Sequence, residues 1–172
     1  VAAQEGDTLR WFLLRGDQPG LRAEAGTPRL GMKGCSVGAL ELDGCQVSTE
    51  MELTGDVLST LDSAQALDMA AIASGISQGA LKEAITYVNQ RVQFGKTIAQ
   101  FENTQQVMAE LLAKAEAARA LVGEAARVKD AGGEYRYAAD LAKVMAADTA
   151  SLVTRKCVQF MGGYGYSREY PV

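Results

Sequence analysis

The feature of the sequence that most constrains the fold is its second part, where no proline occurs between residue 56 and Tyr170. Proline disrupts helices because its ring clashes with the preceding turn and it has no amide hydrogen to donate. This part is instead rich in Ala, Leu, Ile and Met, as long helices are. We therefore predict three helices, from about Ser59 to Arg91, between Phe101 and Asp130, and from about Arg136 to Met161.

Apolar residues inside the predicted helices indicate which faces pack inward. In the second helix they recur at spacings of three, four and seven, which places them on one face. Glycines follow the second and third helices, as expected just past a helix C-terminus. Three long helices joined by short turns predict an antiparallel bundle. The residues expected inward are Met108, Leu112, Ala115, Val122 and Ala125, then Leu141, Val144, Met145, Leu152 and Val153.

The first part of the sequence, up to about residue 55, has a different pattern. A short apolar run, TLRWFLLRG, is followed by the turn signal GDQPG. The segment GALELDGCQV then alternates apolar and polar residues, as a half-buried strand does. We predict strands joined by turns here, with Leu40, Leu42 and Val47 on the buried face.

Composition argues against several classes of function. A net charge of −4 and a pI near 4.9 disfavour a nucleic-acid surface or a polybasic membrane patch. No apolar run approaches the roughly 18 residues of a membrane span. Histidine, the commonest metal ligand and general base, is absent. Because Cys35, Cys45 and Cys157 form no CxxC pair, we predict free thiols and no metal site.

The segment RVQFGK, residues 91–96, lies where the first predicted helix ends. The planar guanidinium of Arg91 can bind a phosphate through two parallel hydrogen bonds. Phe94 offers a ring for stacking, and Gly95 lets a ligand approach the backbone closely. The same residues also suit a plain helix end, since a cation is favourable there and glycine terminates helices. On these residues alone, both interpretations stay open.

A second motif, QFMGGYGY, occupies residues 159–166. Paired glycines after a helix expose amide groups that can cradle a phosphate or a ribose, and Gln159 could add a polar contact. The motif follows a helix and is not GxGxxG, which excludes a dinucleotide-binding fold. The alternative is a flexible turn that carries surface tyrosines.

Together, the two motifs and their surroundings resemble the acyl-CoA dehydrogenase family. RLGMKGCSVGALELDGCQV is similar to the end of the family's middle β-domain, and GISQGALKEAITYVNQRVQFGKTIAQF to its first C-terminal helix and the following turn. AKVMAADTASLVTRKCVQFMGGYGYSREYPV is similar to a later helix and the family's glycine turn. The resemblance implies a mainly α chain, with an incomplete antiparallel four-helix-bundle domain over residues 56–172. The last strands of a β-barrel domain would precede it, over residues 1–55.

The resemblance also implies a function. Members of this family bind FAD and remove two hydrogens from the α and β carbons of an acyl-CoA thioester, with a glutamate as base and the flavin as hydride acceptor. The residues matching the two motifs contact the pyrophosphate and adenosine end of FAD held by the neighbouring subunit. The cofactor-binding residues so implied are Arg91, Phe94, Gln159, Phe160, Met161, Gly162 and Gly163.

Departures from the family pattern leave the catalytic residue unassigned. The usual catalytic glutamate would lie beyond Val172, and the glutamate–arginine pair that some relatives carry in the first C-terminal helix reads Gln65 and Ala66 here. Glu102 stands where a glutamine is common. These departures keep open an alternative, a non-catalytic, structural or flavin-supporting subunit of a mixed acyl-CoA dehydrogenase-like oligomer. A helical interaction module unrelated to flavin is a third possibility.

Three further expectations concern the whole protein. The chain begins at Val1 without a methionine and stops just after the glycine turn, so we expect an excerpt of a longer polypeptide. The resemblance implies an electron-transfer flavoprotein-like acceptor and a location in the bacterial cytoplasm or the mitochondrial matrix. The helices carry more apolar faces than one bundle can bury, so we expect a homodimer or homotetramer.

Overall fold

The computed structural model describes residues 1–24, 26, 31–32 and 34–170 of the chain. The chain divides into two compact units, Val1–Val57 and Leu58–Val172. The first contains strands, and the second is almost entirely helical. None of the described helices is both long and apolar enough to cross a membrane.

The first unit consists of short antiparallel strands. Strands β1, β2 and β5 form one sheet in the order β1-β2-β5, and β3 pairs with β4 in a two-stranded ribbon. Strands are therefore confirmed in this part of the chain. Their bounds are Ala2–Glu5 for β1, Thr8–Phe12 for β2, Leu21–Ala23 for β3, Leu40–Leu42 for β4 and Glu52–Leu53 for β5.

The buried face predicted for this unit is wrong. Leu40, Leu42 and Val47 are all exposed, and Phe12 of β2 is the buried large side chain of the described part of this unit. The reason is that β3 and β4 form a ribbon of only two strands, which has no second layer to cover its apolar side. The alternation was real, but nothing in the described part of the unit covers these side chains.

An arginine ties the three-stranded sheet together. Arg10 of β2 donates hydrogen bonds to Glu52 of β5 and to Glu5 of β1, and its guanidinium carbon lies 5.3 Å from the centre of the Phe12 ring. The hydrogen bonds from Arg10 lower the pKa of the Glu52 carboxyl from its ordinary value. Cross-strand ionic contacts of this kind fix the register of short strands.

The second unit contains three long helices, a small hairpin and two short 3₁₀ segments. The helices lie within two residues of the predicted bounds, so the helical part of the sequence prediction is confirmed. The described elements are α1, Val57–Gln90; β6, Val92–Gln93; β7, Lys96–Thr97; a 3₁₀ segment, Ile98–Gln100; α2, Glu102–Asp130; α3, Arg136–Met161; and a 3₁₀ segment, Gly162–Tyr166.

Two clusters of buried side chains show that the helices run antiparallel in sequence order. Each cluster draws on all three helices, and the early part of α1 meets the late part of α2 and the early part of α3. One cluster, which we call the alanine end, consists of Ala66, Leu67, Ala70, Ala118, Ala125, Ala139, Ala142 and Ala146. The other, the large-residue end, consists of Leu81, Ala84, Val88, Met108, Leu111, Ala115, Val153 and Cys157.

The predicted inward faces of the helices are partly wrong. Met108, Ala115, Ala125 and Val153 are buried as predicted, and Val122 and Leu152 are half-buried. The residues that face outward instead are Leu112, Leu141, Val144 and Met145. In the first half of α3 the buried stripe is made of small residues at three- and four-residue spacing, namely Ala139, Ala142, Ala146 and Thr149. Small side chains let helices approach closely, and this packing turned the larger apolar stripe away from the core.

Candidate functional site

The end of α1 is closed by hydrogen bonds on both sides of Arg91. The Arg91 amide donates to the Tyr87 carbonyl at 2.9 Å, and the Arg91 carbonyl accepts from the Ile98 amide at 2.9 Å. The first bond continues the helix, and the second closes the hairpin that follows. Arg91 therefore has a fixed backbone at the junction of two elements, and its side chain is half-buried.

Strands β6 and β7 form a hairpin whose two-residue loop is Phe94–Gly95. Val92 pairs with Thr97 and Gln93 with Lys96. The φ angles of Phe94 and Gly95 are +53° and +79°, the left-handed values that two-residue hairpin loops require. Glycine adopts them freely, whereas a phenylalanine rarely does. Such strain persists where the surrounding structure enforces it, and it concentrates at functional sites.

The ring of Phe94 projects from this hairpin into the surroundings. The residue is 93% exposed, and one edge of its ring meets the Phe101 ring at a centroid distance of 6.5 Å. The Lys96 Nζ lies 4.2 Å from the centre of the same Phe101 ring, a cation–π contact. Phe101 thus holds the hairpin while Phe94 presents an open aromatic face next to a lysine.

The glycine turn, which we define as residues Gly162–Tyr166, follows α3 without a break as a 3₁₀ segment. Gly162 ends the helix with φ +56° and ψ −130°, a conformation that side chains with a Cβ avoid. A Cβ at Gly165 would lie 2.6 Å from the Val158 carbonyl oxygen, whereas a Cβ at Gly163 would meet nothing within 4 Å. The backbone conformation therefore requires glycine at 162 and packing requires it at 165, whereas neither requires it at 163.

The structure brings the two sequence motifs together. The guanidinium carbon of Arg91 lies 5.5 Å from the centre of the Tyr164 ring, which belongs to the glycine turn. Tyr164 also contacts Tyr87 and Tyr170, at centroid distances of 6.3 Å and 5.5 Å. Tyr87 and Tyr170 meet edge to face at 5.9 Å. Arg91 and the glycine turn are therefore neighbours, joined by a cluster of three tyrosines.

The other predicted site residues lie on the last turn of α3. Gln159 is exposed, and it lines a surface depression with Leu152, Arg155 and Lys156. Phe160 is half-buried and packs against the large-residue end. Met161 is only 2% exposed, so a ligand could reach its backbone but not its side chain.

The Arg91 guanidinium is available for an anion. Over the described ranges of the chain it has no carboxylate within 4.0 Å, whereas Arg10, Arg119 and Arg127 each pair with a glutamate. Its recorded side-chain contact is the ring of Tyr164. A cation held by a ring face keeps its hydrogen-bond donors free at the ring's edge. The arrangement can hold a phosphate at Arg91 and a flat ring system at Phe94.

The structure also places the positions where some relatives carry a base. Ala66 is buried in the alanine end, and Gln65 beside it is exposed. The carboxylates nearest to this pair in the sequence, Asp62 and Asp68, are exposed as well. Within the part of the chain that the structure describes, no group of three or more acidic, Cys or His side chains could hold a metal ion.

Sequence reasoning missed Tyr87, Tyr164 and Phe101 as parts of the site. Tyr87 lies on α1, four residues before Arg91, which directly follows that helix; this spacing places two residues on the same side of a helix, so a local signal existed. Tyr164 was noted only as a surface residue of the turn. Its contact with Arg91 joins positions 73 residues apart (164 − 91), and no local pattern could have shown that.

Comparison with known proteins identifies the class. The family model described as "Acyl-CoA dehydrogenase, C-terminal domain" matches residues 57–172. The chain is 44% identical over 115 residues to the short-chain-specific acyl-CoA dehydrogenase of Megasphaera elsdenii, a match that covers 67% of this chain and 30% of the relative. The chain therefore belongs to the acyl-CoA dehydrogenase family, as its motifs indicated.

Two solved structures share the fold. A chain in the structure described as "Electron transferring flavoprotein of Acidaminococcus fermentans" has a TM-score of 0.89 at 36% identity, covering 95% of this chain and 44% of that one. The glutaryl-CoA dehydrogenase of Mycobacterium smegmatis in complex with FADH2 has a TM-score of 0.85 at 26% identity, covering 99% of this chain and 45% of that one. The mainly α fold of the C-terminal domain is thus confirmed. The chain spans less than half the length of each of these proteins.

Proposed function

We propose that Arg91, Phe94 and the glycine turn form one binding surface for the pyrophosphate and adenosine half of FAD. The observation that carries this proposal is the 5.5 Å contact between Arg91 and Tyr164, because it makes a single surface of two motifs. The guanidinium of Arg91 pairs with no carboxylate among the described residues, and it suits a phosphate. The exposed ring of Phe94 suits an adenine face.

The glycine turn supports the same proposal. Gly163 is the glycine that neither backbone conformation nor packing requires. A ligand that approaches the backbone closely gives a reason for a residue without a side chain there. Gln159 and the backbones of Phe160, Met161 and Gly162 complete the surface, and the exposed amide of Gln159 can hydrogen-bond to ribose or phosphate oxygens.

For the whole protein we propose a flavin-dependent acyl-CoA dehydrogenase that acts on an acyl-CoA thioester. FAD, when bound, accepts the hydride that leaves the β carbon. This chain would contribute the end of a β-domain over residues 1–55 and most of a helical domain over residues 56–172. It would hold one end of the cofactor in position.

The assembly and partners follow from the same proposal. A homodimer or homotetramer would bring the Arg91 surface of one subunit to the flavin of its neighbour. An electron-transfer flavoprotein would reoxidise the reduced flavin, in the bacterial cytoplasm or the mitochondrial matrix. Outward apolar side chains on α1 and α3, among them Ile72, Ile76, Leu141 and Val144, are available for contacts between subunits or domains.

Arg91→Ala in the full-length protein tests the binding surface. Loss of a charge-assisted phosphate contact should cost on the order of 1.5–3 kcal/mol, roughly a ten- to hundredfold increase in the dissociation constant of FAD. The matched control is Arg127→Ala, which removes the same side chain at the opposite end of α2, where it pairs with Glu124. Equal FAD dissociation constants for the parent, R91A and R127A would show that Arg91 does not bind the cofactor.

A second candidate function, a non-catalytic flavin-supporting subunit, has one observation in its favour. The helix position where some relatives carry a glutamate base is occupied by Gln65, whose side chain is exposed. A neutral amide cannot take up a proton as a carboxylate does, so this helix supplies no base at that position. Turnover of acyl-CoA thioesters with a dye acceptor by the purified, FAD-loaded full-length protein decides between the candidates. An enzyme gives turnover, and a supporting subunit retains FAD without it.

A further inference from the structure

Tyr164 occupies a special place between the two halves of the proposed binding surface. Its ring faces the Arg91 guanidinium on one side, and it contacts the Tyr87 and Tyr170 rings as well. Tyr164 is 42% exposed, so these contacts are partly shielded from water. Tyr166, two residues along the same turn, is 96% exposed. Two tyrosines of one motif therefore differ in how far the rest of the chain covers them.

The contact has a physical consequence for Arg91. An arginine side chain loses rotamer entropy when a ligand fixes it. Since no carboxylate holds Arg91 in the described part of the chain, a ring face that orients the guanidinium removes part of that cost before the ligand arrives. A cation–π contact orients the guanidinium without neutralising its charge, as a salt bridge would.

The tyrosine cluster also joins two elements of the chain. Tyr87 belongs to the last turns of α1 and packs against the large-residue end, whereas Tyr164 and Tyr170 lie beyond α3. The ring contacts therefore attach the glycine turn to the helix that carries Arg91. A turn held only by its own backbone hydrogen bond, from the Ser167 amide to the Tyr164 carbonyl at 3.1 Å, would move independently of Arg91.

We propose that Tyr164 is a positioning residue, whose ring orients the Arg91 guanidinium toward the cofactor phosphates and attaches the glycine turn to α1. The proposal rests on the binding surface proposed above and adds a residue that acts through Arg91. It assigns the phenol ring, and not the hydroxyl, as the group that matters. Phenylalanine at position 164 should therefore preserve FAD binding, and leucine should weaken it.

The test compares Tyr164→Leu, Tyr164→Phe and the control Tyr137→Leu in the full-length protein, with the dissociation constant of FAD as the readout. Tyr137 is 80% exposed near the start of α3 and lies outside the proposed surface. We expect Y164L to weaken FAD binding roughly three- to tenfold, and Y164F and Y137L to stay within about twofold of the parent. In the Arg91→Ala background, Y164L should cause no further loss, because the ring would have nothing left to orient. Additive losses, or a Y164F variant as weak as Y164L, would overturn the proposal.

A second readout separates this proposal from the one it rests on. Without FAD, Y164L should speed amide hydrogen exchange across residues 159–167, and Y164F should not, since the ring contacts persist. If R91A leaves FAD binding unchanged while Y164L speeds exchange, the cofactor surface is wrong and the attachment of the turn stands. If R91A weakens FAD binding while Y164L changes neither exchange nor affinity, the positioning role is wrong and the cofactor surface stands.

Discussion

The two ends of the helical bundle fill the core between the same three helices with different side chains. At the alanine end, seven of the eight buried core residues are alanines, and these small side chains let α2 and α3 pack closely against each other. At the large-residue end, leucine, valine, methionine and cysteine side chains fill the space between the same three helices. The candidate site lies beyond the large-residue end, where α1 and α3 finish and α2 begins.

The difference teaches where a bundle can carry a site. The alanine end is filled mostly by side chains too short to reach beyond the core, whereas the larger side chains of the other end lie next to a partly buried aromatic cluster at the helix ends. Tyr87 and Phe160 pack against the large-residue end, and both also belong to the candidate site. Stability and function are therefore coupled at the large-residue end and separate at the alanine end.

Truncation at the large-residue end should have the largest effect. Leu111 is fully buried, so Leu111→Ala removes buried methyl groups and leaves a cavity. We expect a loss of about 2–5 kcal/mol in the free energy of unfolding, measured by urea denaturation followed by circular dichroism. The exposed neighbour Leu112 gives the matched control, Leu112→Ala, with a much smaller loss. Equal losses for the two would mean that the helix face of α2 is assigned wrongly.

Enlargement at the alanine end should have the next largest effect. Ala142 is completely enclosed, and Ala142→Leu forces extra methyl groups between closely packed helices. We expect a loss of about 1–3 kcal/mol in the free energy of unfolding. Ala147, exposed on the same helix, supplies the control A147L. The comparison between the ends would fail if A142L were tolerated, since that would mean the alanine end has unfilled space.

A substitution in the hairpin should separate stability from binding. Phe94→Asn places a residue that tolerates the left-handed region at a φ of +53°. The free energy of unfolding should stay unchanged or rise by up to about 1 kcal/mol, while FAD binding by the full-length protein weakens because the stacking ring is lost. Denaturation and FAD titration of the same variant check both. A loss of stability with unchanged FAD affinity would mean that the ring serves the fold.

The smallest effect is expected at Cys157, and only at high pH. Burial in the large-residue end raises the pKa of the Cys157 thiol to about 11. The unfolded chain loses this proton at lower pH than the folded one, so Cys157 destabilises the protein progressively between pH 9 and 11. Subtracting the pH dependence of Cys157→Ala from that of the parent isolates the effect. A difference that stays constant across this range would contradict the assignment.

The positions of the helices were predictable from the sequence because a helix depends on its own neighbours. Helix backbone hydrogen bonds join residues four apart. The absence of proline, the many alanines, and the glycines that follow Asp130 and Met161 each affect these local bonds. Both motifs of the candidate site were visible for the same reason, since each lies at a helix end. The resemblance to the acyl-CoA dehydrogenase family then indicated that the two belong together.

The choice of the buried face, by contrast, was decided only in three dimensions. Helix α3 carries a stripe of small residues and a stripe of large apolar ones, and the sequence alone favoured the large stripe. The small stripe is buried because the neighbouring helices at the alanine end also present alanines, and close backbone contact needs small side chains on every partner. The contact of Arg91 with Tyr164 has the same origin. The contact forms because α3 runs antiparallel to its neighbour and ends near the end of α1. A local pattern of residues cannot show where a distant segment will pack.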